Sequence, residues 1–239
     1  MGRAKEIIVK VIPSKIANEF VKKHHYSGKV VPNSTLHFGC FLDDKLHGVM
    51  SYGTSMQKSS VIGFVKPCLW NEMLELNRMA FDDYLPKYSE SRCIAISIKL
   101  LKKYAPHIKW ILSYADGCQC GDGTIYRASG FVLTGIKINT TMLLMPNGKI
   151  MADKTLNNSN YKVIGQSAGY WKKNGAKPID GMQLRYIYLI DKTCEITVPI
   201  LPFSKIDEMS AGMYKGKKVS LAERHTSDKS VMVAQLASS

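Results

Sequence analysis

The stretch that decides the fold is SYADGCQCGDGTIYRASGF, residues 113–131. SYAD is predicted to be a buried strand, and TIYRASGF a short helix that ends at Gly130, because glycine is common just after a helix. Asp116 then stands at the carboxyl end of a strand, where α/β folds place their chemistry. Tyr126 lies one turn into the helix, as a packing aromatic or as a phenol that donates a proton or stacks on a base.

The middle of the stretch, GCQCGDG, raises two other interpretations. Cys118-x-Cys120 lacks the two-residue spacing typical of a zinc clip, and no second Cys or His pair follows at finger distance. The glycines match neither GxGxxG nor GK[ST], so the pattern favours a plain loop over a phosphate cradle. No metal is therefore predicted; the alternative is an iron site formed by His25 and Asp116, since a histidine with carboxylates can hold iron.

The flanking sequence predicts a mixed α/β fold around one sheet, in the order β-α-β-β-β-α-β-α-β. A C-terminal β extension follows, with a hairpin turning at Asn147-Gly148 and a strand at QLRYIYLI (183–190). We expect one catalytic domain over residues 1–204 and a basic, flexible tail over 205–239. The predicted elements are a strand EIIVKVI (6–12), a helix opened by Ser14 and ending at His24, a hairpin HFGCFLDDKLHGVMSYG (37–53), a strand WNEMLELNRMAF (70–81), a helix capped by Ser89, and strands WILSYAD (110–116) and FVLTGIKI (131–138).

Charge is the strongest signal in the composition. The chain has 33 Lys+Arg against 19 Asp+Glu, a net charge of +14, which predicts attraction to polyanions such as DNA. The alternative is a soluble protein that is merely basic. No apolar run is long enough to span a bilayer and no signal peptide is present, so a cytoplasmic protein with reduced cysteines and no membrane partner is expected.

Two polar groups stand out before the quoted stretch. His25 follows the first helix and is either a general base or a cation that stabilises the helix end. Glu75 and Arg78 lie three residues apart in a strand, so they face opposite sides unless a bulge brings both into one cleft. The plainer interpretation is an edge-strand arginine on the surface. However, charged residues in so apolar a strand are expensive to bury unless they are paired or used.

Two further segments are candidate binding sites. Ser89 and Ser91 enter a helix N-terminus, which can bind phosphate or carboxylate, although Ser89 could serve only as a cap. GYWKKNGAK (169–177) is predicted to be a DNA-contacting loop in which the lysines meet phosphates, or else a solvated turn. Its candidate residues are Tyr170, Trp171, Lys172 and Lys173.

The order of these elements resembles the core of the GNAT acyltransferase fold. YRASGF (126–131) is similar to the Tyr-Arg-x-x-Gly-Phe helix common in that superfamily. The superfamily's Q/R-x-x-G-x-G/A loop, which binds the pyrophosphate of coenzyme A, is replaced here by KYSESR (87–92).

The chain is more closely similar to the Mom family of bacteriophage DNA-modification proteins. The resemblance covers about residues 6–216 and implies a GNAT-like enzyme that converts adenine in DNA to carbamoylmethyl-adenine and so protects the DNA from restriction. It places the functional positions on His25, Arg78, Ser91, Asp116 and Tyr126. The matching motifs are HHYSG (24–28), LELNRMAFDD (74–83), SESR (89–92), the stretch 113–131 and TVPILPFSKID (197–207).

The resemblance implies double-stranded DNA as substrate and leaves the group donor open between an acyl-coenzyme A and a glycine-derived or aminoacyl-tRNA donor. Asp116 or His25 is the expected base, and Arg78 with Ser91 would hold an anionic or carbonyl group. Two other functions compete: an N-acetyltransferase acting on a protein or small amine, and a non-catalytic basic DNA-binding protein. The sequence does not choose an oligomeric state.

Overall fold

The computed structural model describes residues 2–117, 121–139, 141–157, 164–179, 181–214 and 217–218. Within them the chain forms two compact units. The first contains residues 2–114, 124–135 and 185–201, and the second contains 115–117, 121–123, 136–184 and the described residues from 202 onward.

The first unit contains most of a seven-stranded sheet with strand order β1-β2-β3-β5-β6-β11-β7. Strands β1, β2, β3 and β5 pair antiparallel, and β5 pairs parallel with β6, so the predicted mixed α/β sheet is confirmed. The sheet strands are β1 (Ile8–Val11), β2 (Ser34–Leu42), β3 (Lys45–Gly53), β5 (Met73–Phe81), β6 (Trp110–Asp116), β7 (Val132–Ile138) and β11 (Met182–Leu189). The other elements of this unit are α1 (Ser14–His24), α2 (Lys58–Val61), β4 (Val65–Lys66), α3 (Ser89–Tyr104), α4 (Thr124–Ala128) and β12 (Glu195–Ile196), with 3-10 turns at Arg3–Glu6 and Trp70–Glu72.

Helix α1 packs on one face of this sheet. Ala17 and Val21 of the helix lie against Val49 of β3 and Ala80 of β5. A second apolar cluster, around Trp110, continues along the sheet with α2, β4 and β12 and includes Met73, Leu112, Ile187 and Val65. Helix α3 lies on the opposite face, where the Ser97 hydroxyl and the Tyr52 phenol form a 2.7 Å hydrogen bond.

The second unit has its own small core. A three-stranded sheet, in the order β10-β8-β9, is formed by β8 (Met142–Leu144), β9 (Ile150–Ala152) and β10 (Lys177–Pro178). The predicted hairpin is confirmed: β8 and β9 pair antiparallel, and Gly148 in the turn has φ +79°. Leu143 and Leu156 are buried there together with Ala168. The remaining elements of the unit are helices Asp153–Asn157, Ala168–Lys173 and Ser204–Glu208 and the strand pair β13 (Met213–Tyr214) and β14 (Lys217–Lys218).

The helix from Ser14 to His24 is confirmed; Pro13 occupies its cap position, and no side chain caps it. Two local predictions were wrong. Ser89 is inside α3, since Tyr88 precedes it in a left-handed conformation, φ 69°. GYWKKNGAK is not a loop throughout, because residues Ala168–Lys173 form a helix.

The hairpin at 37–53 is confirmed, with Asp43 and Asp44 in the turn at φ 50° and 58°. Cys40, Cys68, Cys93 and Cys194 are free thiols, as expected. No helix of the described residues is long and apolar enough to cross a membrane. The boundary at residue 204 stays a prediction; a helix begins there, and residues 219–239 of the predicted tail lie outside the described residues.

Candidate active site

A β-bulge in β5 brings Glu75 and Arg78 onto one face of the sheet. Arg78 pairs with Ser51 of β3 and Leu76 pairs with the next residue of β3, so Asn77 is the extra residue of the bulge. In a regular strand, residues three apart face opposite sides of the sheet. The extra residue Asn77 shifts the alternation by one, so Glu75 and Arg78 face the same side. Of the two arrangements that the sequence allowed, the bulged strand with both side chains on one face is therefore the one that forms.

Glu75 is a half-buried carboxylate with two electrostatic neighbours. Burial raises its pKa above the ordinary value, while a hydrogen bond from Ser55 and the charge of Arg78 act in the other direction. Burial dominates because desolvation penalises the charged form. A carboxylate with a raised pKa is a stronger base than an exposed one.

Arg78 ties the loop after α1 to β5. Its Nε donates to the carbonyl of Lys29 at 2.9 Å, and its Nη1 donates to the carbonyl of Asn77 at 2.7 Å. Burial lowers the pKa of Arg78, and Tyr26 and Glu75 act to raise it. The guanidinium is thus fixed in orientation beside the Glu75 carboxylate.

His25 is a neutral imidazole directed by Ser27. The Ser27 N–H donates to His25 Nδ1 at 3.1 Å, and the Ser27 hydroxyl lies 2.8 Å from the same nitrogen. Since Nδ1 accepts, the neutral ring carries its proton on Nε2. Burial first, and then the charge of Arg78, lower the pKa of His25 to about 4. His25 is therefore suited to donate a hydrogen bond from Nε2 and poorly suited to act as a base at neutral pH.

Tyr114 and Arg185 extend this polar region across the sheet, and sequence reasoning missed both. Burial and the charge of Glu75 raise the pKa of the Tyr114 phenol, while Arg185 lowers it, so Tyr114 is in electrostatic contact with both. We call Glu75, Arg78, Tyr114 and Arg185 the polar strip. One signal was available in the sequence: Arg185 is the lone cation in the apolar strand QLRYIYLI.

The start of α3 holds the two predicted serines in different environments. Ser89 is buried and its hydroxyl donates to the carbonyl of Pro86 at 2.5 Å. Ser91 is half-buried and its hydroxyl donates to the carbonyl of Tyr88 at 3.2 Å. Arg92 follows; its Nη2 donates to Lys5 O at 3.1 Å, and its Nε is a buried donor without a partner among the described residues. Ser91 and Arg92 are therefore better placed than Ser89 to meet an anion.

Tyr126 is buried, at 7% exposure, with its ring 5.5 Å from that of Phe131 and 5.3 Å from that of Tyr186. Tyr186 and Arg185 are adjacent in a strand and so face opposite sides of the sheet. The Tyr126 ring consequently packs on the face opposite the polar strip. His25, Glu75 and Arg78 are brought together by the fold, whereas this ring is on the other side of the sheet.

The remaining predicted residues belong to the second unit. Asp116 is the last residue of β6, as predicted, and is half-buried. In the helix Ala168–Lys173, Trp171 packs against the core of the second unit and Tyr170 is 43% exposed, edge-on to the Trp171 ring. Lys172 forms a 3.0 Å ion pair with Asp153, so Lys173 is the less engaged of the two lysines.

Among the described residues, no group of three or more His, Cys, Asp and Glu side chains is close enough to hold a metal ion. Cys118 and Cys120 lie outside the described residues.

Half-buried, mutually interacting charges on one face of a mixed α/β sheet make the polar strip the candidate active site, since charges that serve no chemistry are costly to bury. Solved structures similar to the chain include an acetyltransferase of the GNAT family from Streptococcus pneumoniae, with 9% identity, a TM-score of 0.43, and coverage of 77% of this chain and 98% of that one. Another is a Bacillus subtilis acetyltransferase in complex with CoA, with 12% identity, a TM-score of 0.42, and coverage of 77% and 98%.

The family follows from the sequence comparisons. The model of the Mom protein family matches residues 6–205. Over 192 residues the chain is 32% identical to methylcarbamoylase Mom of Escherichia phage Mu. The matched region covers 79% of this chain and 78% of that protein. The chain belongs to the Mom protein family, as its motifs predicted.

Proposed function

We propose that this protein converts adenine in DNA to carbamoylmethyl-adenine, a change that protects the DNA from restriction endonucleases. The observation that carries the proposal is the 32% identity, over 192 residues, to a phage methylcarbamoylase. The matched region, residues 6–205, includes the bulged strand and the whole polar strip. The polar strip supplies the kinds of group that such a transfer requires.

Double-stranded DNA suits the charge of the chain, because +14 favours a polyanionic substrate and predicts salt-sensitive binding. The exocyclic amine of adenine lies in the major groove of a duplex. An enzyme that forms a bond to it gains access by turning the base out of the stack. Lys173 and the exposed Tyr170 are the candidate backbone contacts from the second unit.

Glu75 is our choice of general base. The amine nitrogen of adenine shares its lone pair with the ring, so removal of a proton must accompany its attack on the donor. The Glu75 carboxylate is desolvated and its pKa is raised, whereas the His25 imidazole has a pKa of about 4 and an occupied Nδ1. Asp116 is the alternative base, and paired variants at Glu75 and Asp116 distinguish the two.

Arg78 and His25 are proposed to stabilise charge on the donor. The Arg78 guanidinium is held by two carbonyls, and the remaining N–H groups are available to a carbonyl or an anionic oxygen. His25 adds the Nε2–H donor of a neutral ring. The Tyr126 ring packs on the opposite face of the sheet, so we assign it no contact with the polar strip; its predicted role as proton donor or stacking ring is tested by Tyr126→Phe.

Two of the donors considered, acyl-coenzyme A and aminoacyl-tRNA, carry phosphate groups. The start of α3 fits a phosphate: the N–H groups of a helix's first turn favour anions, and the unpartnered Nε of Arg92 adds a cation there. Ser91 and Arg92 would hold the phosphate, and the donor would supply the activated group that is transferred. KYSESR (87–92) differs from the usual coenzyme A loop, so an aminoacyl-tRNA or other glycine-derived donor is the form to test first.

The proposal is tested by mass spectrometry of nucleosides from plasmid DNA after expression of the chain. We expect an adenine nucleoside heavier by one carbamoylmethyl group. Unchanged nucleosides together with tight acetyl-coenzyme A binding, measured by calorimetry, would indicate an N-acetyltransferase instead. Salt-sensitive DNA binding without any new nucleoside, and indifferent to loss of Arg78, would indicate a DNA-binding protein.

A further inference from the structure

Arg185 is held rigidly on the sheet face that carries the polar strip. Its Nε donates to the Thr134 hydroxyl at 3.0 Å and its Nη2 donates to the Thr134 carbonyl at 2.7 Å. The guanidinium carbon lies 4.0 Å from the centre of the Phe64 ring. A Cβ on Gly135 would lie 3.2 Å from Nη2, so the absence of a side chain there leaves room for the guanidinium.

Arg185 lacks the carboxylate partner that Arg78 has. Arg78 interacts with Glu75, whereas the only charged or ionisable group that acts on Arg185 among the described residues is the neutral phenol of Tyr114. Burial lowers the pKa of Arg185, which records the cost of removing the guanidinium from water. Arg185 is half-buried, and a partly desolvated cation without a carboxylate partner is stabilised when a bound group supplies the anion.

The geometry also leaves donors for such a group. Thr134 occupies Nε and one N–H of Nη2, and the face of the guanidinium is covered by Phe64. The two N–H groups of Nη1 have no partner among the described residues. Arginine fixed in this way loses little side-chain entropy when it binds an oxyanion, because its orientation is already set.

We propose that Arg185 is an anion-binding residue, which receives a phosphate or carboxylate oxygen of a ligand at its Nη1 edge beside Tyr114. The ligand is either the phosphodiester next to the target base or the anionic part of the group donor. The choice between these two sources rests on the proposed function, but anion binding itself does not.

The first experiment measures anion binding without catalysis. Thermal unfolding of the full chain is followed with increasing sodium phosphate, sodium acetate or sodium chloride at constant ionic strength, for wild type, Arg185→Gln, Arg185→Lys and the control Arg3→Gln. Arg3 is exposed and paired with Asp43, so its loss changes the charge equally without touching the polar strip. Phosphate or acetate should protect wild type and Arg3→Gln, with apparent affinity about tenfold weaker in Arg185→Gln, because a hydrogen bond to a charged group is lost.

Arg185→Lys keeps the positive charge but loses the planar set of guanidinium N–H donors, so it should fold and bind the anion more weakly than wild type. Arg185→Lys therefore tests anion binding by Arg185 even if Arg185→Gln does not fold. If wild type, Arg185→Gln and Arg185→Lys all bind each anion with the same affinity, the proposal is overturned, whether or not the chain modifies DNA.

The second experiment identifies the source of the anion. DNA affinity of wild type and Arg185→Gln is measured over a range of salt concentrations. If the anion is a DNA phosphate, the slope of log K against log salt falls by about 0.9 in the variant. If it belongs to the donor, the slope is unchanged and the yield of modified adenine falls. No change in the slope or in the yield would contradict a role for Arg185 in either complex.

Discussion

Replacing His25 by Gln should flatten the stability of the protein on its acid side. His25 has a pKa of about 4 in the folded chain against an ordinary value of 6.5. Above pH 6.5 the ring is neutral in both states and contributes nothing. As the pH falls from 6.5 towards 4, only the unfolded chain takes up a proton here, so folding stability is lost through that window.

The size of the effect follows from the gap between the two pKa values. At pH 5 the unfolded ring is protonated and the folded ring is not, which costs about 2 kcal/mol of folding stability. His25→Gln cannot titrate, so its loss of stability between pH 7.5 and pH 5 should be smaller than that of wild type by about this amount. His37, whose pKa burial also lowers, is present in both proteins and cancels in the comparison.

The assay is urea unfolding of wild type and His25→Gln at both pH values. His24→Gln is the matched control, since the neighbouring His24 ring stacks on Phe20 and lies outside the contacts of Ser27 and Arg78. We expect His24→Gln to keep the wild-type dependence on pH. If His25→Gln also loses the wild-type amount of stability at pH 5, His25 is not held neutral and cannot be the Nε2–H donor.

Four further substitutions test separate contacts. Arg78→Lys cannot make both carbonyl contacts of the guanidinium, so modified adenine should fall about tenfold or more with unchanged DNA affinity; wild-type yield would remove Arg78 from the site. Tyr126→Phe keeps the ring contacts and should lower turnover about a hundredfold if the phenol transfers a proton; an unaffected rate leaves only packing. Trp171→Ala should cost about 3 kcal/mol in urea unfolding because the partly buried ring packs against the core of the second unit. Lys173→Gln should leave stability intact and reduce the salt slope of DNA binding by about 0.9.

Much of the fold was readable because the chain repeats local signals at the right spacing. The hairpin of β2 and β3 has alternating apolar residues on both sides of an Asp-Asp-Lys turn, and it forms as predicted. The strand SYAD ends at Asp116 and the helix after it stops before Gly130, which has φ +83°. These features depend on residues close in sequence, and tertiary packing favours the same local structure that those residues prefer.

The errors come from cap chemistry that depends on the backbone. Ser89 carries a good cap residue's hydroxyl, but the left-handed conformation of Tyr88 moves the start of α3 and turns that hydroxyl towards Pro86. In the same way, GYWKKNGAK contains loop-forming residues, yet Ser167 accepts a hydrogen bond from the Tyr170 N–H and starts a helix.

The site was only partly readable. The spacing of Glu75 and Arg78 left two arrangements, and the choice depends on how β5 pairs with β3, which no local pattern specifies. Tyr114 and Arg185 are 71 residues apart along the chain and meet only through the sheet order. The tautomer of His25 depends on the Ser27 contacts, which exist only in the folded loop.

The most direct measurement is the amount of carbamoylmethyl-adenine in DNA from cells that express wild type, Glu75→Gln or Glu72→Gln. Glu72 is the matched control, since it pairs with Lys109 at 2.8 Å, away from the polar strip. Wild type and Glu72→Gln should give the modified nucleoside, and Glu75→Gln about a hundredfold less, as expected for loss of a general base. Absence of the nucleoside with wild type would contradict the proposed reaction, and equal amounts with Glu75→Gln would contradict its placement on the polar strip.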